Sequence, residues 1–256
     1  VWNMQILQIV FSPTGGTQRV ADLLTQAWQT PVKKTDLTDA ETDWSAFCPK
    51  DSDVAVIAVP SYGGRVPAVA ARRIARLHGG GVPCVLVCVY GNRAYEDTLA
   101  ELSDLAQASG FCVIAAVAAV AEHSILPQYA AGRPDAQDAQ ELRRFGQKIL
   151  QKVNDGDTAV PQIPGNRPYK AAGTARLVPK TTDRCSRCGR CAARCPVQAI
   201  LKSDPAKTDS DKCITCMRCV KECPQSARQI DRSTADGLAQ KIKSACTVPK
   251  HNELFM

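Results

Sequence analysis

Hydrophobic residues in the first 155 positions fall into two alternating rhythms. Near-continuous apolar runs occupy 4–11 (Met4-Gln5-Ile6-Leu7-Gln8-Ile9-Val10-Phe11), 53–59, 82–90 (Val-Pro-Cys-Val-Leu-Val-Cys-Val-Tyr) and 111–121, with a shorter one at 32–36. Runs of this length without polar alternation suit strands buried on both faces of a parallel sheet. Between them the period becomes helical. Val20, Leu23, Leu24 and Ala27 recur within 18–28, and further helices are expected at about 66–77, 94–109 and 135–153. Five strand–helix units predict an α/β domain over residues 1–155, a doubly wound five-stranded parallel sheet of order 2-1-3-4-5.

The pattern then breaks. Residues 156–183 carry Pro161, Pro164, Pro168 and Pro179 with few apolar runs, and read as a linker or wrapping segment. A cysteine-rich module follows at 184–232. The last stretch, 233–256, is expected to hold a helix near 235–245, packing back on a neighbour, and then a tail.

The cysteine module repeats one spacing twice. Cys185, Cys188, Cys191 and Cys195 precede Pro196, and Cys213, Cys216, Cys219 and Cys223 precede Pro224. A tetrahedral zinc site needs four ligands, usually as two separated pairs. A third cysteine at the same step, then a fourth three residues on before proline, is the spacing that wraps a cubane iron–sulfur cluster. In two-cluster domains the fourth cysteine of each run serves the other cluster. The expected [4Fe-4S] ligand sets are therefore Cys185, Cys188, Cys191 and Cys223, and Cys195, Cys213, Cys216 and Cys219. A disulfide framework would need a secreted context. Cys84 and Cys88 read as buried thiols of the fourth strand. Cys48, Cys112 and Cys246 have no ligand spacing.

The loop after the first strand, Ser12-Pro13-Thr14-Gly15-Gly16-Thr17, leads into a helix. Glycines let backbone approach an anion, helix N-terminal amides point at it, and three hydroxyls add donors. The loop has neither the lysine of a phosphate-binding nucleotidase loop nor the dinucleotide fingerprint. The alternative is an ordinary turn capped by Thr17. In a doubly wound sheet the ligand sits beyond the carboxyl ends of the strands. There the third strand leads into Ser61-Tyr62-Gly63-Gly64-Arg65-Val66-Pro67, and the fourth ends in Tyr90-Gly91-Asn92-Arg93-Ala94-Tyr95.

The pattern at 12–17 resembles the flavodoxin phosphate loop, and the doubled cysteine run over about 180–232 resembles a bacterial two-[4Fe-4S] ferredoxin. Together with the two tyrosine loops, nearly the whole chain is similar to the flavodoxin–ferredoxin fusion family of anaerobic bacteria. The resemblance implies a flavodoxin-like FMN domain and a small α+β ferredoxin-like domain. Ser12, Thr14, Gly15, Gly16 and Thr17 would hold the FMN phosphate. Tyr62 and Tyr90 would contact the flavin ring, with Gly63, Gly91 and Asn92 as backbone or amide contacts and Ser61, Gly64, Arg93 and Tyr95 in the same loops. Arg65 and Arg93 are expected to bring positive charge to the flavin, raising its potential so that electrons run from clusters to FMN. His123, after the fifth strand, is weighed as a proton donor there against a structural loop histidine.

Charge is unevenly spread. Residues 1–164 hold 14 Lys+Arg against 17 Asp+Glu, and residues 165–256 hold 18 against 8, nets of −3 and +10. Two cubanes of formal −2 bring the second figure to about +6. No aromatic-interleaved basic stripe accompanies it, so no nucleic acid is expected. The alternatives for the basic surface are a docking face for an acidic redox partner and a solvated surface. No apolar run approaches the roughly eighteen residues of a membrane span. Val1-Trp2-Asn3-Met4 shows no signal-peptide features. Oxygen-sensitive ligands without an export signal point to the cytoplasm. Two functions follow: a carrier that couples the one-electron chemistry of two clusters to the two-electron chemistry of FMN, or a terminal FMN-dependent reductase of a small organic acceptor. No nicotinamide fingerprint is present.

Overall fold

The computed structural model describes residues 4–173 and 177–256. The reading of Val1-Trp2-Asn3 as free of signal-peptide features, and part of the 156–183 segment, lie outside the described residues.

The apolar runs form β1 (Ile6–Val10), β2 (Val32–Asp36), β3 (Val54–Pro60), β4 (Pro83–Tyr90) and β5 (Cys112–Val120), interleaved with α1 (Gly16–Thr25), α2 (Ala68–Ile74), α3 (Thr98–Ala108) and α4 (Ala136–Asn154). The five strands pair in parallel in the order β2-β1-β3-β4-β5. This is the flavodoxin-like order, with its switch point between β1 and β3. One apolar layer joins Ile9, Ile57 and Leu86 to Ile74 of α2 and Leu99 and Leu102 of α3. The other joins Val56, Val85 and Val117 to Leu24 of α1 and Leu142 and Ile149 of α4. β2 is an open edge, and its exposed Lys33 and Lys34 discourage pairing with another chain.

The cysteine module contains β6 (Lys180–Thr181), α5 (Arg190–Ala193), α6 (Arg218–Lys221) and β7 (Arg228–Gln229), with β6 and β7 antiparallel. It docks against the turn after β2 and against α2. Arg73 donates to Leu37 O at 2.5 Å and Pro196 O at 2.7 Å. Buried Arg218 donates to the Thr38 hydroxyl and, at 3.2 Å, to Glu222 Oε1.

α7 (Arg232–Thr247) follows, and then β8 (Glu253–Phe255). β8 pairs antiparallel with β5, setting Ala116 against Phe255 and Ala118 against Glu253. The sheet is therefore six-stranded rather than five, and the expected tail is its outer strand. Three residues are too few to announce a strand by pattern. Asn252 places them: its Oδ1 accepts from Val120 N at 2.9 Å, and its Nδ2 donates to Asp138 and Glu141 at 2.9 and 2.7 Å.

The proline-rich segment wraps α3 by polar contacts. Asp97 accepts from the amides of Asn166 and Lys170 at 2.8 and 2.7 Å, and Arg167 makes two bonds to Asp104. No helix among the described residues is long and apolar enough to cross a membrane.

Candidate cofactor sites

A cavity of about 280 Å³ opens at the carboxyl ends of β1, β3, β4 and β5. Thr14, Gly16 and Thr17 line one end, and Ser61, Tyr62, Gly63, Tyr90, Gly91 and Arg93 line its sides. Residues from both tyrosine loops and the hydroxyl loop thus meet at one place.

At the hydroxyl-loop end Gly15 has φ +95°, so it turns the chain into α1 in a conformation that favours glycine. Ser12 does not line the cavity; its Oγ accepts the Gln18 amide at 3.0 Å. Ser12 therefore caps the first turn, the part expected of Thr17 in the ordinary-turn alternative. Arg19 N bonds Gly15 O at 3.0 Å. Among the described residues the amides of Gly16 and Thr17 have no acceptor, as first-turn amides lack one within the helix. Thr17 is only 5% exposed, and its hydroxyl likewise has no partner among the described residues. Three converging donors without acceptors fit a phosphate.

The loops after β3 and β4 divide their labour. Tyr62 and Tyr90 form cavity walls, and Tyr90 is braced edge-on by Tyr95 at 5.2 Å. Ser61 shares a 2.8 Å hydrogen bond with Thr98. Gly91 lies so close to His123 that a Cβ there would stand 2.6 Å from its side chain. Other expected contacts are committed elsewhere. Buried Asn92, at φ +63°, donates to Cys246 O and Val248 O at 2.7 and 3.0 Å and accepts from Lys250 N at 2.9 Å. It fastens the chain after α7 rather than facing the cavity. Tyr95 donates to Glu253 at 2.5 Å, and Gly64 packs against Glu96.

Both arginines meet carboxylates. Arg65 is outside the cavity lining and makes two bonds to Glu101, at 2.7 and 2.9 Å. Arg93 lines the cavity but pairs twice with Glu96, at 3.2 and 2.8 Å. Arg65 is offset by Glu101, whereas Glu96 is shared between Arg93 and Lys170, whose Nζ lies 2.6 Å from it, so a net positive charge remains beside the cavity.

The cysteines gather in the crossed sets. Cys185, Cys188, Cys191 and Cys223 line one recess with Pro205 and Arg228. Cys195, Cys213, Cys216 and Cys219 line a second with Ile214, Met217 and Arg218. Their local geometry is repeated: Cys195 Sγ accepts from Ala199 N at 3.3 Å, and Cys223 Sγ from Ala227 N at 3.2 Å. Burial pushes the Cys216 and Cys219 thiols up to about 12, and the amides of Ala227, Gln225 and Arg228 outweigh burial to lower Cys223. Thiols walled in apolar surroundings resist ionisation until a metal claims the sulfur. Among the described residues no His, Cys, Asp or Glu group converges on a single ion. None of the thirteen cysteines is in a disulfide.

Beside Gly173 and Leu177 of the 156–183 segment, the cavity has lining residues that pattern reading missed, Ile214, Thr215 and, from α7, Leu238 and Ile242. The one available signal was the four-residue spacing of Leu238 and Ile242, which marks a helix face in a segment otherwise exposed.

Residues 178–224 match the family model of the 4Fe-4S dicluster domain. No curated protein matches the chain. Solved structures similar to it include a Streptococcus pneumonia TIGR4 flavodoxin, 19% identical over 59% of this chain and 99% of that one, with a TM-score of 0.40. The two-electron reduced Megasphaera elsdenii flavodoxin is 16% identical over 56% and 98%, TM-score 0.38. The rubredoxin oxygen:oxidoreductase of Desulfovibrio gigas is 15% identical over 61% of this chain and 37% of that one, TM-score 0.46. One chain thus joins a segment matching the 4Fe-4S dicluster domain to a domain of flavodoxin-like topology.

Proposed function

We propose that the chain passes electrons between two [4Fe-4S] clusters and FMN. Cys185, Cys188, Cys191 and Cys223 hold one cluster, Cys195, Cys213, Cys216 and Cys219 the other, and the cavity beyond β1, β3, β4 and β5 takes the flavin. The observation that carries this reading is a shared wall. Ile214, next to Cys213, lines both the second cysteine recess and the cavity. Tyr62 forms the cavity wall beside it. Tyr62 also shares a neighbouring recess with Cys213 and Ile214.

Each cluster supplies one-electron chemistry when bound, and FMN one- or two-electron chemistry. The chain's residues provide the setting. Gly16 and Thr17 donate to the phosphate, Tyr62 and Tyr90 flank the ring, and Ile214, Leu238 and Ile242 exclude water. His123 also lines the cavity. Its Nδ1 accepts from the amides of Ile125 and Leu126 at 3.2 Å each, so its ring proton sits on Nε2. That neutral Nε2–H is a hydrogen-bond donor. It is also the feature a terminal reductase of a small organic acceptor would use.

An external redox protein exchanges electrons at the first recess, where Cys188 is exposed among exposed Arg184, Arg187 and Arg190. Positive charge there suits an acidic partner. Oxygen-sensitive clusters place the protein in a reducing compartment, the cytoplasm.

Anaerobic reconstitution tests the reading. It requires about eight irons and one FMN per chain, with two reducible cubane signals in electron paramagnetic resonance. Zinc in place of iron, or no flavin uptake, overturns it. Reoxidation of the dithionite-reduced protein separates the two functions: electron delivery to proteins alone favours the carrier, and saturable turnover of a small molecule favours the reductase.

A further inference from the structure

Two arginines of the cysteine module are buried, and only one has an acid to meet it. Arg218, 6% exposed, lines the second recess and pairs with Glu222 at 3.2 Å. Arg228, 2% exposed, lines the first. Among the described residues no carboxylate pairs with Arg228. Its guanidinium donates to neutral oxygens: Thr208 Oγ1 at 2.6 Å, Pro179 O at 3.3 Å and Pro205 O. Its buried Nε has no partner among the described residues.

A buried guanidinium cannot shed its proton, and leaving it uncompensated is strongly unfavourable. Something anionic must offset it. The surrounding atoms say what. Arg228 and the sulfur of Cys191 both address Pro205 O, the latter at 3.9 Å, and Arg228 shares the lining of the first recess with Cys185, Cys188, Cys191 and Cys223. It therefore lines the first recess and is hydrogen-bonded to Pro179 and Thr208, which line the second.

We propose that Arg228 is the internal counter-cation of the cluster pair: it compensates the negative clusters and raises their reduction potentials, most at the recess it lines. This rests on the two-cluster reading above. Each cluster gains one negative charge when it accepts an electron, so a fixed buried cation favours the reduced form. The role is one of tuning and positioning, since the electron moves between groups the cysteines hold.

The test is potentiometry of the reconstituted full-length protein, followed by electron paramagnetic resonance, in Arg228→Met, Arg228→Gln and Arg228→Lys. Iron content and FMN content are measured first, and a parent protein without two clusters sinks the underlying reading before Arg228 is at issue. With both clusters present, neutral variants should need a lower poise. The expected change is about tenfold in the reduced-to-oxidised ratio at fixed potential, 59 mV for a one-electron group. Lys should recover most of it. A merely structural arginine would leave the midpoints of Met, Gln and Lys variants together at the parent value, and that overturns the proposal. If Met fails to retain iron, the Gln-against-Lys comparison decides. If Gln fails as well, a Lys variant that keeps both clusters supports the proposal, and a Lys variant that loses them overturns it.

Discussion

The α/β region and the cysteine module of this chain reach a defined shape by opposite routes. The first buries Ile6, Ile9, Ile57, Leu86, Leu99 and Val117 completely, in layers on both faces of a sheet. The second has two-residue strands, four-residue helices and, within 184–232, only Ala192, Ala199, Ile200, Cys216, Met217 and Ala227 as buried hydrophobics. At roughly 25 cal/mol per Å², so little apolar burial cannot offset the ordering of such a segment. The α/β domain has its form before any ligand arrives. The cysteine module takes its stability from what its sulfurs bind, as small metal domains do.

Removing one ligand should give the largest effect. Cys216→Ser, in the second recess, should lose about half of the iron and leave the 178–230 region open to hydrogen exchange, while β1, β3, β4 and β5 stay protected. Protection of the cysteine module despite that loss of iron would break the contrast between the two regions.

A smaller effect is expected at the cavity, because its walls belong to the self-supporting domain. Gly91→Ala puts a Cβ 2.6 Å from His123 and must push that side chain aside. FMN affinity should fall by about tenfold to a hundredfold, one to three kcal/mol, with the melting of the α/β domain little changed. Fluorescence titration of FMN measures it. Unaltered affinity would mean that the ligand does not rest on this wall.

What joins the two regions is less visible in sequence than either region is. The apolar runs and the repeated cysteine spacing are local signals, and strand order and crossed cysteine sets follow from them. Asn92 is different. It stands in a loop that reads as ligand-binding, yet its amide is saturated by Cys246, Val248 and Lys250, more than 150 positions away. Arg65 and Arg93 read as free cations because Glu101 and Glu96 become partners only once α3 and its preceding loop fold over them. Glu253–Phe255 is a strand only because β5 offers an edge. Long-range pairing decides each case.

The clasp can be tested on its own. Asn92→Ala removes three hydrogen bonds and leaves two carbonyls and an amide to find water. A loss of about 1–3 kcal/mol is expected, concentrated in faster exchange at 246–256 and loosening of α7 over the cavity. Cluster spectra should not move, since no cysteine of either recess is touched. If exchange at the C-terminus is unchanged, the chain after α7 is held by β8 and Asn252 alone, and the join is simpler than the geometry implies.

The smallest effect concerns His123, the titratable group at the meeting point of cavity and clasp. Burial, and then the charge of Arg93, hold its pKa below the ordinary 6.5. The unfolded chain therefore takes up a proton as pH falls through 6.5 while the folded chain resists it. The neutral imidazole's contribution to stability is complete above that pH and is lost progressively below it, towards the lowered folded value. Melting of the intact protein should decline more steeply from pH 7.5 to 6 than melting of His123→Gln, whose side chain does not titrate. Taking the difference between parent and variant cancels any acid sensitivity of the clusters. Parallel melting curves across that range would mean that the imidazole titrates as freely as in the unfolded chain, contrary to a half-buried ring whose Nδ1 is already occupied by two amides.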